Sequence, residues 1–388
     1  MGRAVLLLSL AAFASAASLR ATDPLLPLIA AEYAVSTGAA SAAITAFAVS
    51  YGLLQIIYGP LGDRFGRYRT IAAACLASAL GSAACAAAPG LDALVMARLA
   101  SGATIGALIP LSLAWIGDSF AYEDRQAVLA RFMIGQMLGI AFGTAIAGWL
   151  AESFGWRAIF VVFAALFILI AALLALEVRR NPLAARAAAA ISIMQSLRRM
   201  PRVLRSGGLL LATVFAEGLL IFGAFAFVAF SFQQRYGFGP GLAGTLLVAY
   251  AAGGLLYSAM ARRAIARLGE PGLVAAGGAA LALGYAGLAF SPWPAVATLC
   301  VAAVGAGYYM LHTTLQTKAT QVSAEDRGSA VALFATGLFL GQALGVWLAS
   351  GIVDAAGVAP VFAGAALGLA GLSFAFRVHL LSVARAPR

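Results

Sequence analysis

YGPLGDRFGRYRT, residues 58–70, is the stretch whose reading decides the fold. It places Asp63, Arg64, Arg67 and Arg69 within seven residues, interleaved with Gly59, Gly62 and Gly66 and with Pro60 between. Only 10% of the 388 residues are charged, and 63% are hydrophobic. So dense a polar segment between two apolar runs demands a physical reason.

Composition supplies the first part of it. A soluble domain is nearer half apolar and about a quarter charged. A soluble chain with a mean hydropathy of +0.96 would expose large apolar patches and aggregate. The alternative solvent is lipid, where every backbone polar group must be satisfied within its own segment and roughly 20 apolar residues cross as helix. A β-barrel is excluded because the apolar runs are continuous, not alternating. Cys75, Cys85 and Cys300 all lie in apolar runs without metal-ligand spacing and read as small packing residues. The formal charge of +11 does not indicate nucleic acid, because the basic residues fall in short loops.

Twelve apolar segments are predicted, at about 4–30, 38–59, 70–88, 92–117, 126–150, 156–177, 207–233, 240–261, 271–290, 294–320, 328–350 and 358–380. They divide into a six-helix bundle over 1–177, a basic linker over 178–206 and a second six-helix bundle over 207–388 with a short tail. The linker carries Arg179, Arg180, Arg186, Arg198, Arg199, Arg202 and Arg205. With the N-terminus inside, the inside loops and tails hold 21 of the 25 basic residues. That asymmetry predicts both termini in the cytoplasm. The start, MGRAVLLLSLAAFASAASLRA, also has the form of a secretory signal with Ala14-Ser15-Ala16 as a cleavage site. Cleavage would leave eleven spans and disagree with the charge pattern at one end, so an uncleaved first helix is expected. Internal duplication is also legible. Glu123-Asp124-Arg125 recurs as Glu325-Asp326-Arg327, and each is followed by Gly-Gln-x-Leu-Gly, at 135–139 and 341–345.

The 58–70 stretch now falls in the inside loop between helices two and three. There it resembles the loop signature of the major facilitator superfamily, carried here by Gly59, Leu61, Asp63, Arg64, Gly66, Arg67 and Arg69. Gly62 stands where that signature has alanine, and Tyr68 takes one basic position. The resemblance covers the whole chain and implies an all-α membrane fold of two six-helix bundles. It also implies that this loop gates the inside mouth. In physical terms, the glycines permit a tight turn and close helix approach. Asp63 suits a helix cap or a pairing across the bundle, and the arginines suit inside-end acids such as Asp118 or lipid phosphate. The plainer alternative is that the loop only fixes topology.

Four further matches extend the resemblance. L94VMARLASGATIGA resembles the superfamily's buried-arginine motif through Leu94, Arg98, Gly102 and Gly106. GIAFGTAIAG, 139–148, resembles the exporters' helix-five signature through Gly139, Gly143 and Gly148, but Thr144 replaces its proline and Ala147 a paired glycine. Those glycines also suit plain close packing. RATDPLLPLIAAEY, 20–33, is similar to the drug:proton antiporter branch, and GWRAIF, 155–160, fits the start of helix six.

Ionisable groups inside a membrane are costly and mark functional candidates. Arg20 and Asp23 lie three apart and suit pairing, followed by Pro24 and Pro27, which interrupt the backbone as cavity-lining helices do. A static ion pair that locks helix one is an equal reading. Arg98 lies in the outer part of helix four. Glu217 lies near mid-membrane in helix seven, a lone carboxylate suited to reversible protonation because burial disfavours charge. Glu217, then Asp23, are the expected proton carriers. Arg20, Asp23, Tyr51, Gln55, Arg98, Glu217, Phe222, His312 and Gln316 are the expected cavity lining, chosen as polar or aromatic positions at helical spacing.

No Walker lysine, metal cluster or nucleophile–base pair is legible, and the one lysine is Lys318. No enzyme activity, cofactor or metal is expected, and energy would come from a proton gradient. The expectation is a secondary transporter of a bacterial inner membrane, working by alternating access and exporting small amphipathic compounds or metabolites in exchange for protons. Its partners would be a small molecule, protons and the lipid bilayer, and a monomer suffices. Two alternatives stay open: an importer or symporter of small organic anions, and a non-transporting membrane sensor on the same scaffold.

Overall fold

The computed structural model describes residues 2–120, 122–181, 193–322 and 327–385. Among them every regular element is a helix. Glu325-Asp326, residues 182–192 of the linker and the last tail residues lie outside the described residues. In chain order the spans are α1 (Gly2–Tyr33), α2 (Thr37–Leu53 with Gln55–Phe65, bent by 52°), α3 (Arg67–Ala86), α4 (Leu91–Ser119), α5 (Tyr122–Phe154) and α6 (Ala158–Arg180). Then come α7 (Met200–Tyr236), α8 and α9 within Pro240–Phe290, α10 (Pro294–Ala319), α11 (Arg327–Ala356) and α12 (Val358–Arg385).

Length and hydropathy alone give ten such spans, or eleven with the bent pair as one. The Pro240–Phe290 segment accounts for the twelfth. Its 51 residues would be about 76 Å long as one helix, more than twice the roughly 30 Å hydrocarbon core. It breaks at Gly269, whose φ of 62° no ordinary helical residue takes, with Pro271 two residues on. That break separates α8, 240–268, from α9, 270–290. The large apolar side chains that remain exposed, such as Leu80, Leu283, Leu299 and Leu367, face lipid rather than water.

One boundary differs from the sequence reading. The helix that becomes α7 starts at Ile193, within the linker. Its first turns are amphipathic, with Met200 and Val203 buried and Arg198, Arg202 and Arg205 exposed. Their mean polarity hides a helix that a search for continuous apolar runs misses.

Glycine sets the closest helix contacts, and these recur in the second half. In α5, Gly135 and Gly139 lie against the backbone of Ser9 and Phe13 of α1. In α11, Gly341 and Gly345 lie against the backbone of Phe215 and Leu219 of α7. All four correspondences are 206 residues apart. Gly102 of α4 meets the carbonyl of Phe47 as Gly305 of α10 meets that of Tyr250, both 203 residues on. The two GQxLG segments are therefore the same packing element used twice.

Contacts between the first six and last six spans run mainly along α2 with α11 and α5 with α8. At the end away from the 58–70 loop they are polar. Asp354 of α11 accepts from Ser36 Oγ (2.6 Å) and from the backbone N–H of Gly38 (2.9 Å) at the start of α2. Glu152 of α5 accepts from the N–H of Gly241 (2.8 Å) at the start of α8. Each carboxylate caps a helix N-terminus of the other half, where free N–H groups and the helix dipole favour negative charge. These bonds join the two halves at this end. We expect D354N combined with E152Q to lengthen the distance between spin labels at A34C and A356C. An unchanged distance would show that the caps do not hold this end shut.

Candidate functional site

The site is built where α1 breaks. Helix runs to Arg20, a 3₁₀ turn covers Asp23–Leu25, and helix resumes at Leu26, with Pro24 and Pro27 at the two new starts. Each proline lacks a backbone N–H and so suits a helix start. The break leaves Arg20 and Asp23 side by side, with Arg20 Nη1 3.5 Å from Asp23 Oδ2. Arg20 is 4% exposed and Asp23 fully buried. Asp23 Oδ1 and the hydroxyls of Thr22 and Ser18 are buried without partners among the described residues.

The Arg20 guanidinium crosses to the other half. It lies 4.3 Å from the ring centre of Phe222 and 5.2 Å from that of Phe225, both on α7. Close by, Gln233 of α7 donates to the carbonyl of Pro24 (2.9 Å).

Glu217 begins a second cluster. It is fully buried, and its Oε2 shares a 2.9 Å hydrogen bond with Nδ1 of His312 on α10. Its Oε1 has no partner among the described residues. The sequence reading of Glu217 as a lone carboxylate is therefore corrected: a histidine 95 residues away binds it. A π-helical turn follows at Gly218–Phe222. In a π turn, positions five apart share a face, whereas in the α-helix facing it positions four apart do. Glu217 therefore meets His312 while Phe222 meets Tyr308 (5.1 Å between ring centres). Tyr308 in turn stacks on His312 at 4.7 Å. A continuous path runs Arg20, Phe222, Tyr308, His312, Glu217.

Sequence reasoning missed Tyr308, Tyr309, Tyr250 and Phe334. Tyr250 lies 4.9 Å from Phe225 and 6.0 Å from Tyr308, and Phe334 lies 5.2 Å from His312. The available signal was the pair Tyr308-Tyr309, one turn before His312, one of only two histidines in the chain.

Other expected residues fall outside this path, though Arg98 touches the segment before the α1 break. Arg98 is 1% exposed and spans the carbonyls of Ala43 and Ser18 at 3.4 Å each, with the Phe47 ring 4.0 Å from its guanidinium. It ties α4 to α1 and α2. Gln55 and Tyr58 donate to the carbonyls of Gly106 (3.3 Å) and Ala103 (2.6 Å) of α4. Tyr51 packs on Phe339 of α11 at 4.4 Å, across the two halves. Gln316 is exposed. Of the helix-five glycines, Gly139 and Gly143 face α1, and Gly148 faces Pro240 and Gly241 at the start of α8. They are close-packing positions.

The stretch expected as a loop, 58–70, is helical except at Gly66, with α2 running to Phe65 and α3 starting at Arg67, and it forms an ion-pair relay within its own half. Arg67 bonds Asp63 (2.9 Å) and Asp118 at the end of α4 (2.5 Å), and also donates to the carbonyl of Ala114 (2.6 Å). Asp63 thus pairs four residues along its own chain, not across the bundle. Gly66, at φ 87°, makes the turn between α2 and α3, and Gly62 lies against Leu111 and Arg67. Arg64 and Arg69 are exposed.

Comparison with known proteins places this geometry. Residues 8–345 match the Major Facilitator Superfamily. A triacylglyceride transporter of Mycolicibacterium hassiacum is 30% identical over 324 residues, 81% of this chain and 53% of that protein. The multidrug export protein EmrB of Haemophilus influenzae is 29% identical over 157 residues, 40% of this chain and 31% of that protein. The chain thus spans about half the length of these relatives, or less. The crystal structure of the nucleoside transporter NupG superposes with a TM-score of 0.75 at 15% identity, covering 99% of this chain and 100% of that one. That likeness speaks for the fold. The apolar spans, the recurring helix contacts and the match over residues 8–345 lead to one assignment: this chain is a multi-pass membrane protein that belongs to the major facilitator superfamily.

Proposed function

We propose that the protein is a proton-coupled secondary transporter that exports small amphipathic compounds, with Glu217 as the group that carries the proton. The observation behind this is the Glu217–His312 pair. A fully buried carboxylate holds one oxygen on a histidine and leaves the other without a partner among the described residues. Unpaired charge is costly at such a depth, so binding and releasing a proton there changes the energy of the surrounding helices strongly. The pair adjoins a π turn on α7, a local irregularity of the kind found at functional sites.

The two halves rock about the α1–α7 contact, exposing it to one face at a time. Closure of one end uses the Asp354 and Glu152 caps. The Asp63–Arg67–Asp118 relay lies at the opposite end, where its rearrangement accompanies closure. Both termini face the cytoplasm, and the membrane is the inner membrane of a bacterium. Export is favoured by the similarity of α1 to antiporters and by the match to EmrB. Import of organic anions is the second reading. It is favoured by Arg20 and by a match to the 4-hydroxybenzoate transporter PcaK of Acinetobacter baylyi, 31% identical over 107 residues.

The test uses everted vesicles energised to be acid inside, with a pH-quenched dye, and a panel of lipophilic cations, neutral drugs, sugars and organic acids. A panel compound should release lumenal acid in vesicles carrying the protein and not in empty ones. No release by any class would overturn proton antiport. In the same assay, D63N should slow transport about tenfold in correctly inserted protein. An unchanged rate would leave that loop a topology signal alone.

A further inference from the structure

We propose that the compound carried is an aromatic acid, its carboxylate bound by Arg20 and its ring seated among Phe222, Phe225, Tyr250 and Tyr308. This rests on the transport reading above and holds for either direction.

Charge at the break in α1 makes the first argument. Arg20 and Arg98 are both buried, and both reach the segment 18–23. The one carboxylate that bonds either of them, among the described residues, is Asp23. Glu217, the other fully buried acid among the described residues, is engaged by His312 and lies beyond Phe222 and Tyr308. Two guanidiniums against one carboxylate leave one buried positive charge without a counter-ion, which is costly unless an anion joins it.

The bond between Arg20 and Asp23 makes the second. A guanidinium has five N–H donors, and a charge-assisted bond to a carboxylate is normally about 2.7–2.9 Å. Among the described residues Arg20 shows one hydrogen bond, at 3.5 Å. The pair is loose, and most of the guanidinium's donors remain for a ligand. The unpartnered hydroxyls of Ser18 and Thr22, buried on the same segment, are further donors suited to an anion.

The rings decide the rest of the ligand. Phe222, Phe225, Tyr250 and Tyr308 make a connected group with ring centres 4.9 to 6.0 Å apart. Arg20 already lies over Phe222 and Phe225. The ring faces that would attract an amine are thus taken by a resident cation, which would also repel it. A flat ring bearing a carboxylate uses both features: the acid pairs with Arg20 and the ring stacks beside Phe222 and Phe225. Since Arg20 comes from α1 and the rings from α7, α8 and α10, such a ligand bridges the two halves.

The experiment measures binding to purified protein in nanodiscs without any gradient, so it does not depend on proton coupling. The probes are 2-naphthoate, its neutral isostere 2-naphthamide, and 2-naphthylmethylammonium. We expect 2-naphthoate to bind at least tenfold tighter than 2-naphthamide, with the cation weakest. R20Q should abolish the preference for the acid, and R20K should retain part of it. The comparison of the three probes on wild type decides the matter even where R20Q fails to fold. Equal binding of acid and amide, tighter binding of the cation, or no binding of the acid would overturn the proposal. Acid binding together with a silent vesicle assay would refute proton coupling and leave this site standing.

Discussion

Glu217→Gln loses net, gradient-driven transport by about two orders of magnitude, roughly 2.7 kcal/mol on the coupled step. The amide keeps the size of the side chain and one oxygen for His312, 2.9 Å away in the wild type. It cannot bind or release a proton. The packing of Glu217 between α7 and α10 is preserved, so the variant should fold. The two halves still rock, so exchange of compound across the membrane with equal compound on both sides should persist within a few-fold. Counterflow in proteoliposomes separates the two quantities. Loss of net flux with retained exchange identifies Glu217 as the coupling group. Retention of both would show that the proton travels by another group, and Asp23 is then the buried carboxylate to test.

Gly341→Leu should cost most of the folded protein. The Cβ of any residue there would collide with the backbone of Phe215, as at Gly345 with Leu219. A side chain of leucine size must push α7 and α11 apart. Overpacking commonly costs about 1–3 kcal/mol, and here the obstacle is backbone, which cannot turn aside. The equivalent change in the first half, Gly139→Leu against Phe13, should do the same. Gly364→Leu is the control, since nothing lies within 4 Å of its Cβ position and it is exposed. Thermal denaturation followed by size-exclusion chromatography gives the reading. A clear loss for Gly341→Leu and Gly139→Leu, with Gly364→Leu unchanged, supports the repeated packing element. Three equal curves would refute it.

The spans were legible because lipid imposes one rule, a continuous apolar run of sufficient length, and this chain obeys it in most of its helices. The amphipathic turns at 193–206 fell outside that rule and were read as linker. The repeated GQxLG segments were legible as a repeat, but their role was not. A glycine's close contact depends on a neighbour more than a hundred residues away, as with Gly139 and Phe13. The break in α1 was readable from Pro24 and Pro27, because proline acts through its own backbone. Glu217 and His312 were each picked out singly, since ionisable groups in lipid are rare. Their pairing was hidden, because local spacing says nothing of which helices adjoin. Tyr250 and Tyr308 were overlooked for the same reason: each is one tyrosine in an apolar span until the fold brings them within 6.0 Å. Arg98 shows the reverse case, a costly charge whose visible partners are carbonyls that hold helices together.

The most direct measurement reconstitutes purified wild-type protein in liposomes with a lumenal pH dye and the membrane potential clamped. Flux of a radiolabelled compound from the vesicle screen and lumenal pH are followed together. The account predicts proton movement opposite to the compound, in fixed proportion to its flux at every compound concentration. Compound flux with no accompanying change in lumenal pH would contradict it.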